Sequence, residues 1–184
     1  MKSYLITDPN IYTNNIQEFE SILKTTIQNN SIDYICFRDK KSSNYKELAK
    51  SFVKISKQNN ITNIFINQYI DLANSLKATG VHLTSKQFDK IAYVKSIGLK
   101  SIISTHNEDD IKQAIKNNVD YITYSPIFDT PNKGTAKGIK NLKDIVKKYN
   151  DINIFALGGI ISDEHIKSVK NTSCFGFASI RYFV

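Results

Sequence analysis

The chain has 184 residues, 41% of them hydrophobic and 23% charged, and 25 Lys+Arg against 17 Asp+Glu give it a formal charge of +8. This is the composition of a globular domain, and at such a length roughly two-thirds of the unfolded surface can be buried without a disulfide or metal staple. A membrane span is excluded because no apolar run approaches ~18 residues, and a disulfide scaffold or zinc site because Cys36 and Cys174 stand far apart without ligand spacing.

Met1 to Asp8 reads as a strand rather than a signal peptide, so a reducing cytoplasm is the expected location. The positive charge is nearly all lysine, spread over solvated helix faces such as Lys46-Lys50-Lys54-Lys57 and Lys143-Lys147-Lys148. With no dense basic run and no interleaved aromatics, neither nucleic acid nor a membrane surface is expected as a partner.

In chain order, runs rich in Ile, Val, Phe and Tyr predict strands at Lys2–Thr7, Tyr34–Arg38, Asn63–Asn67, Val81–Thr84, Ser101–Thr105, Tyr121–Tyr124, Asn153–Leu157 and Phe175–Ile180. Helical spacing of apolar residues fills the gaps. Ile16, Phe19, Ile22 and Leu23 mark Asn15–Gln28, and Leu48, Phe52, Val53 and Ile55 mark Asn44–Ser56. Asp71–Leu76, Lys86–Ser96, Asp109–Lys116, Asn141–Tyr149 and Asp163–Val169 continue the series. Ser162 is a good N-cap, and Asn107-Glu108-Asp109-Asp110 puts acid at a helix start. Eight strands alternating with helices in one domain, residues 1–184, predict an α/β fold with a parallel sheet. The (β/α)8 TIM barrel is the economical form and an open doubly wound sheet the alternative. The eighth strand runs into Arg181-Tyr182-Phe183-Val184, so the eighth helix is expected to be missing. That gap would expose apolar surface, Phe183 and Val184 included, and a homodimer is expected to cover it.

Ligands of parallel α/β folds sit at the carboxyl ends of the strands. The chain's two arginines, Arg38 and Arg181, both fall there. Arginine suits bidentate recognition of carboxylate and phosphate; two surface ion pairs are the plainer alternative. Cys36, Arg38 and Lys40 alternate onto one face, which as the barrel interior would set two cations at its mouth. Alternation along the last strand puts Phe175, Phe177, Ser179 and Arg181 together, opposite Gly176, Ala178 and Ile180. His106 and Ser104 share a face at the end of the fifth strand, where a histidine can act as general acid/base or serve a structural role. His82 reads as structural and His165 as exposed. The loop Ser125–Gly134, with Thr130 and Lys133, has the length of a substrate lid. Gly158-Gly159 after the seventh strand lets backbone N–H groups approach a ligand, and with Arg181 nearby it makes the usual barrel phosphate site.

These residues resemble, over almost the whole chain, the family of thiamine-phosphate synthase and its relative thiazole tautomerase. The resemblance is carried by Tyr4-Leu5-Ile6-Thr7-Asp8, Phe37-Arg38-Asp39-Lys40, Ile66-Asn67, Asp71-Leu72-Ala73, Gly80-Val81-His82-Leu83 and Ser104-Thr105-His106-Asn107. Thr130-Pro131-Asn132-Lys133, Ala156-Leu157-Gly158-Gly159-Ile160 and Gly176-Phe177-Ala178 complete it. It implies a (β/α)8 barrel acting on a thiazole phosphate in thiamine biosynthesis. It also implies a synthase pattern from which this chain departs. Cys36 stands at a glutamine position, and Gln68 and Gln87 stand where the synthase has carboxylates for Mg²⁺, which amides replace poorly. Arg181 stands where the family commonly has a serine.

On these departures the expected reaction is a metal-independent thiazole tautomerisation, a proton shift that aromatises the thiazole carboxylate phosphate. His106 would be the acid/base. Arg38, Lys40, Asn67, Ser104, Thr130, Lys133, Gly158, Gly159 and Arg181 would bind substrate, with no cofactor. The alternative is a divergent synthase joining aminopyrimidine pyrophosphate to thiazole phosphate, with Mg²⁺ on a site rebuilt from Asp39, Asp89 or Asp129. A non-catalytic paralogue that binds a phosphate ligand is the third reading.

Overall fold

The computed structural model describes residues 1–131 and 133–184; Asn132, part of the 130–133 motif, lies outside the described residues. Eight parallel strands close into a barrel in chain order: β1 (Lys2–Ile6), β2 (Tyr34–Phe37), β3 (Asn63–Asn67), β4 (Gly80–Leu83), β5 (Lys100–Thr105), β6 (Tyr121–Tyr124), β7 (Asn153–Leu157) and β8 (Gly176–Ser179). Pairing of β1 with β8, Leu5 opposite Ser179, closes the cylinder and rules out the open sheet. The helices are α1 (Pro9–Tyr12), α2 (Ile16–Asn29), α3 (Tyr45–Gln58), α4 (Ile70–Ser75), α5 (Ile91–Ser96), α6 (Glu108–Lys116), α7 (Gly138–Lys148) and α8 (Asp163–Lys170).

Local chemistry explains most boundaries. The Asn107 and Ser162 side chains cap α6 and α8 by accepting from Asp110 N–H and His165 N–H. The unpredicted α1 has Asp8 as its cap and Pro9 in its first turn, a start signal too short to carry apolar periodicity. The segment predicted as one helix from Lys86 begins as a one-turn 3₁₀ helix, Phe88–Lys90, before α5.

The core has two layers. Leu5, Ile35, Ile66, Val81 and Ile122 face outward from the strands and pack under Phe19, Leu48, Phe52 and Ile111 of the helices. Inside the barrel lie Tyr4, Ile6, Tyr34, Cys36, Phe65, Ile102, Tyr121, Phe155 and Ala178. Each large apolar side chain fully buried here contributes about 1.5–3 kcal/mol. The rings gather toward the amino ends of the strands: Phe155 lies 5.1 Å from Tyr34 and 5.2 Å from Phe175. Gly80 and Gly176 make room for them, since a Cβ there would stand 2.7 Å from Phe65 and 2.6 Å from Phe155. This aromatic plug fills the floor and leaves the carboxyl end open.

The alternation of the last strand holds for Phe177, which packs outward, against Ala178 and Ile180, which belong to the interior. Phe175, expected on the Phe177 face, instead precedes the strand and joins the interior cluster. Ser179 ends the strand, its hydroxyl donating to the Ile160 carbonyl at 2.7 Å and accepting from Tyr182 N–H at 3.1 Å. Arg181 therefore lies beyond the strand, where alternation no longer sets its direction. Among the described residues no helix follows β8. Phe183 is nevertheless only 5% exposed, stacked on Phe177 at 5.8 Å with Tyr182 edge-on at 5.5 Å. The tail covers the outer face of β8 itself. The exposed patch from which a homodimer was expected does not include Phe183; Val184 alone of that pair is exposed.

Candidate active site

The open end of the barrel holds a cavity of about 510 Å³, lined by all ten residues singled out in the sequence: Arg38, Lys40, Asn67, Ser104, His106, Thr130, Lys133, Gly158, Gly159 and Arg181. They come from six different strand ends, and closure of the barrel brings them together. Four of them are cations, and no Asp or Glu is among the described lining residues. Such a concave, one-signed wall concentrates anions. The crowding of charge registers on Lys40, whose pKa is lowered by Arg38 first, then by burial and by Lys133. Arg38 is partly engaged, its Nη1 3.1 Å from Asp8 Oδ2. For Arg181 no ion pair appears among the described residues.

The two glycines serve a structural need and a chemical one. Gly158 and Gly159 have φ of +99° and +68°, and a Cβ on Gly159 would lie 2.6 Å from Phe128 Cβ and 2.7 Å from the Asp129 carbonyl. The close approach lets the 126–130 loop pair with this turn: Ile127 N–H donates to Leu157 and Phe128 N–H to Gly158, both at 3.0 Å. Among the described residues the Gly159 and Ile160 N–H groups have no backbone acceptor, and both residues border the cavity, as does Arg181 after the neighbouring strand β8. Thr130 is turned to the loop, its hydroxyl donating to the Phe128 carbonyl at 2.9 Å.

His106 is exposed at the rim, its backbone N–H held by Asp110 at 2.7 Å. Nδ1 lies 3.3 Å from both the carbonyl and the hydroxyl of Ser125; in the tautomer that donates from Nδ1 to the carbonyl, Nε2 keeps the lone pair a general base needs. His82, read as structural, does border the cavity from below, fully buried. Ser125 is a further lining residue, contacting His106 through its hydroxyl as well. His165 is not simply exposed: it stacks on Phe128 at 4.1 Å and accepts from Ile161 N–H, bracing the glycine turn.

The donor set does not fit a Mg²⁺ ion. Gln87 Oε1 accepts from Thr84 N–H and its hydroxyl, and Gln87 Nε2 donates to the Gln68 carbonyl; Gln68 Nε2 donates to Asn67 Oδ1. Both amides are neutral and engaged with neighbouring protein groups, and a neutral amide is a poor replacement for a Mg²⁺-binding carboxylate. Asp39 Oδ1 takes the Lys41 and Ser42 N–H groups, and Asp89 is 66% exposed and ion-paired with Lys90. Neither these two nor Asp129 is among the lining residues, and among the described residues no group of three or more His, Cys, Asp or Glu could hold a metal.

A family model described as thiamine monophosphate synthase matches residues 3–183. The chain belongs to the thiamine monophosphate synthase family. Within it, a putative thiamine-phosphate synthase 2 of Aquifex aeolicus is 34% identical over 98% of this chain and 96% of its own length. A thiamine-phosphate synthase of Clostridium tetani is 30% identical over 96% of this chain and 85% of that protein. The solved thiamine phosphate pyrophosphorylase from Pyrococcus furiosus superposes with a TM-score of 0.81 over 97% of this chain and 85% of that one, at 23% identity, which supports the fold. No helix of the described residues is long and apolar enough to cross a membrane.

Proposed function

We propose that this member of the thiamine monophosphate synthase family is an enzyme of thiamine biosynthesis that holds a thiazole phosphate at the barrel mouth. The observation that carries this reading is the anion cradle: the glycine turn after β7 and Arg181 after the neighbouring β8 line one cavity with Lys40, Lys133 and His106. The Gly159 and Ile160 N–H groups of that turn have no backbone acceptor among the described residues. A helix start and backbone amides at the strand 7–8 loops suit a phosphate. The rest of the cavity has room for a small aromatic ring.

For the reaction, the comparisons favour the synthase. The relatives named above carry that name, and the ring nitrogen of the thiazole would attack the aminopyrimidine methylene as pyrophosphate leaves. Arg38, Lys40 and Lys133 would meet the charge of the leaving group. One specific observation favours thiazole tautomerisation as a second reading, namely the amide pair Gln68 and Gln87 in place of metal-binding acids. There His106 Nε2 would take a ring proton and return it one position away.

One assay separates the cases. Purified protein is given thiazole phosphate with aminopyrimidine pyrophosphate and Mg²⁺, and separately the non-aromatic thiazole carboxylate phosphate alone. Release of pyrophosphate establishes the synthase; aromatisation without a second substrate establishes the tautomerase. Turnover of neither overturns the proposal.

A further inference from the structure

A row of polar groups crosses the barrel interior beneath the cavity. Tyr4 on β1 has its hydroxyl 2.9 Å from Nδ1 of His82 on β4, and the rings stack at 5.8 Å. The other ring nitrogen, Nε2, lies 3.2 Å from Oγ of Ser104 on β5. Tyr4 is 0% and His82 4% exposed, whereas Ser104 is half-buried and borders the cavity.

His82 is neutral, since burial and then the Arg38 charge push its pKa down to about 3. A neutral imidazole has one N–H and one lone pair, so the row runs in one of two directions. With the proton on Nδ1, His82 would donate to the Tyr4 oxygen, and the Tyr4 O–H would need another acceptor. Among the described residues the hydroxyl meets two side-chain groups that could accept from it, His82 Nδ1 at 2.9 Å and the Cys36 thiol. The neighbouring Cys36 is a protonated thiol, its pKa pushed up to about 12 by burial, and thiol sulfur accepts weakly. A buried O–H without a good acceptor bears most of its desolvation cost, while a hydroxyl that has donated loses little by leaving a lone pair unfilled. The row therefore runs from Tyr4 O–H to Nδ1, and from Nε2–H to Ser104 Oγ. Ser104 then already accepts one bond. Its own O–H has no partner among the described residues and is left for whatever occupies the cavity.

We infer that Tyr4 and His82 are positioning residues that fix Ser104 as a hydrogen-bond donor to the bound substrate. The site thereby selects a lone-pair atom at this point, a ring nitrogen or an oxygen of a carboxylate or phosphate, and disfavours an N–H or O–H. The proposal rests on the thiazole-phosphate reading for the occupant, whereas the direction of the row is a property of the free protein.

The test has two arms. Long-range ¹H–¹⁵N spectra of the histidine rings in ¹⁵N-labelled, ligand-free protein at pH 7 should show His82 as the Nε2–H tautomer. Tyr4→Phe should remove that preference, with the Nδ1 resonance moving as its hydrogen bond is lost. Calorimetry with thiazole phosphate should then show about tenfold weaker binding by Ser104→Ala, a smaller loss of about threefold by Tyr4→Phe, and near wild-type affinity for His82→Gln, whose amide can accept from Tyr4 and donate to Ser104. An Nδ1–H tautomer in wild-type protein overturns the inference, as does Ser104→Ala binding at full strength. Should Tyr4→Phe fail to fold, the wild-type spectrum and Ser104→Ala still decide. If wild-type protein does not bind thiazole phosphate while His82 shows the Nε2–H tautomer, the functional reading fails, and with it the substrate role of Ser104, while the direction of the row stands.

Discussion

Acidification from pH 7.5 to pH 5 should cost the fold about 2 kcal/mol through His82 alone. In the folded chain its pKa lies near 3 because the ring is buried beneath Arg38, with the uncharged Tyr4 and Cys36 beside it. In the unfolded chain it returns to about 6.5. The folded pKa is depressed, so between these values the unfolded state binds the extra proton, and stability rises with pH. The contribution is fully present above pH 6.5 and falls at up to about 1.4 kcal/mol per pH unit below it, which gives roughly 2 kcal/mol lost by pH 5. Urea melts at the two pH values measure this directly. His82→Gln supplies the control: its own destabilisation drops out because only the change with pH is compared, and the carboxylates titrate alike in both proteins. The wild type should lose about 2 kcal/mol more than the variant over the same interval. Equal losses would mean that His82 protonates freely in the fold, and the neutral Tyr4–His82–Ser104 row would be wrong.

Three further outcomes are expected. Arg181→Ala should weaken thiazole phosphate binding by roughly 1.5 kcal/mol, about tenfold, the lower end for a charged hydrogen bond because the guanidinium is exposed; equal loss for the dephosphorylated alcohol, or loss for neither, would remove it from the phosphate site. His106→Gln should leave fold and affinity in place and slow tautomerisation by ~10²-fold or more if that is the reaction, measured by the rate of aromatisation; a near wild-type rate would make His106 structural. Gly159→Ala should lower stability by about 1–3 kcal/mol in thermal melts, since its Cβ would stand 2.6 Å from Phe128 Cβ at a φ of +68°; an unchanged melting temperature would show that the turn can yield.

The barrel was legible because its cause is local. Runs such as Tyr34–Phe37 and Asn153–Leu157 are β-branched and aromatic enough to be strands, the segments between them carry an apolar stripe, and that alternation has few packed solutions. Residues at strand ends were legible as a site for the same reason: once the strands are parallel, Arg38, His106 and Gly158 must emerge at one end. Contacts between distant segments were not. Alternation placed Arg181 by assuming that the strand continued, whereas the bond from Ser179 to Ile160 ends it two residues earlier. Phe183 reads as exposed until the tail folds back onto Phe177. His82 reads as a buried histidine, and it is one, but its role depends on Tyr4, 78 residues away, and Ser104, 22 residues away. Sequence sets which groups each strand presents; only closure of the sheet decides which groups face one another, and hydrogen bonding and proton position depend on that facing pair.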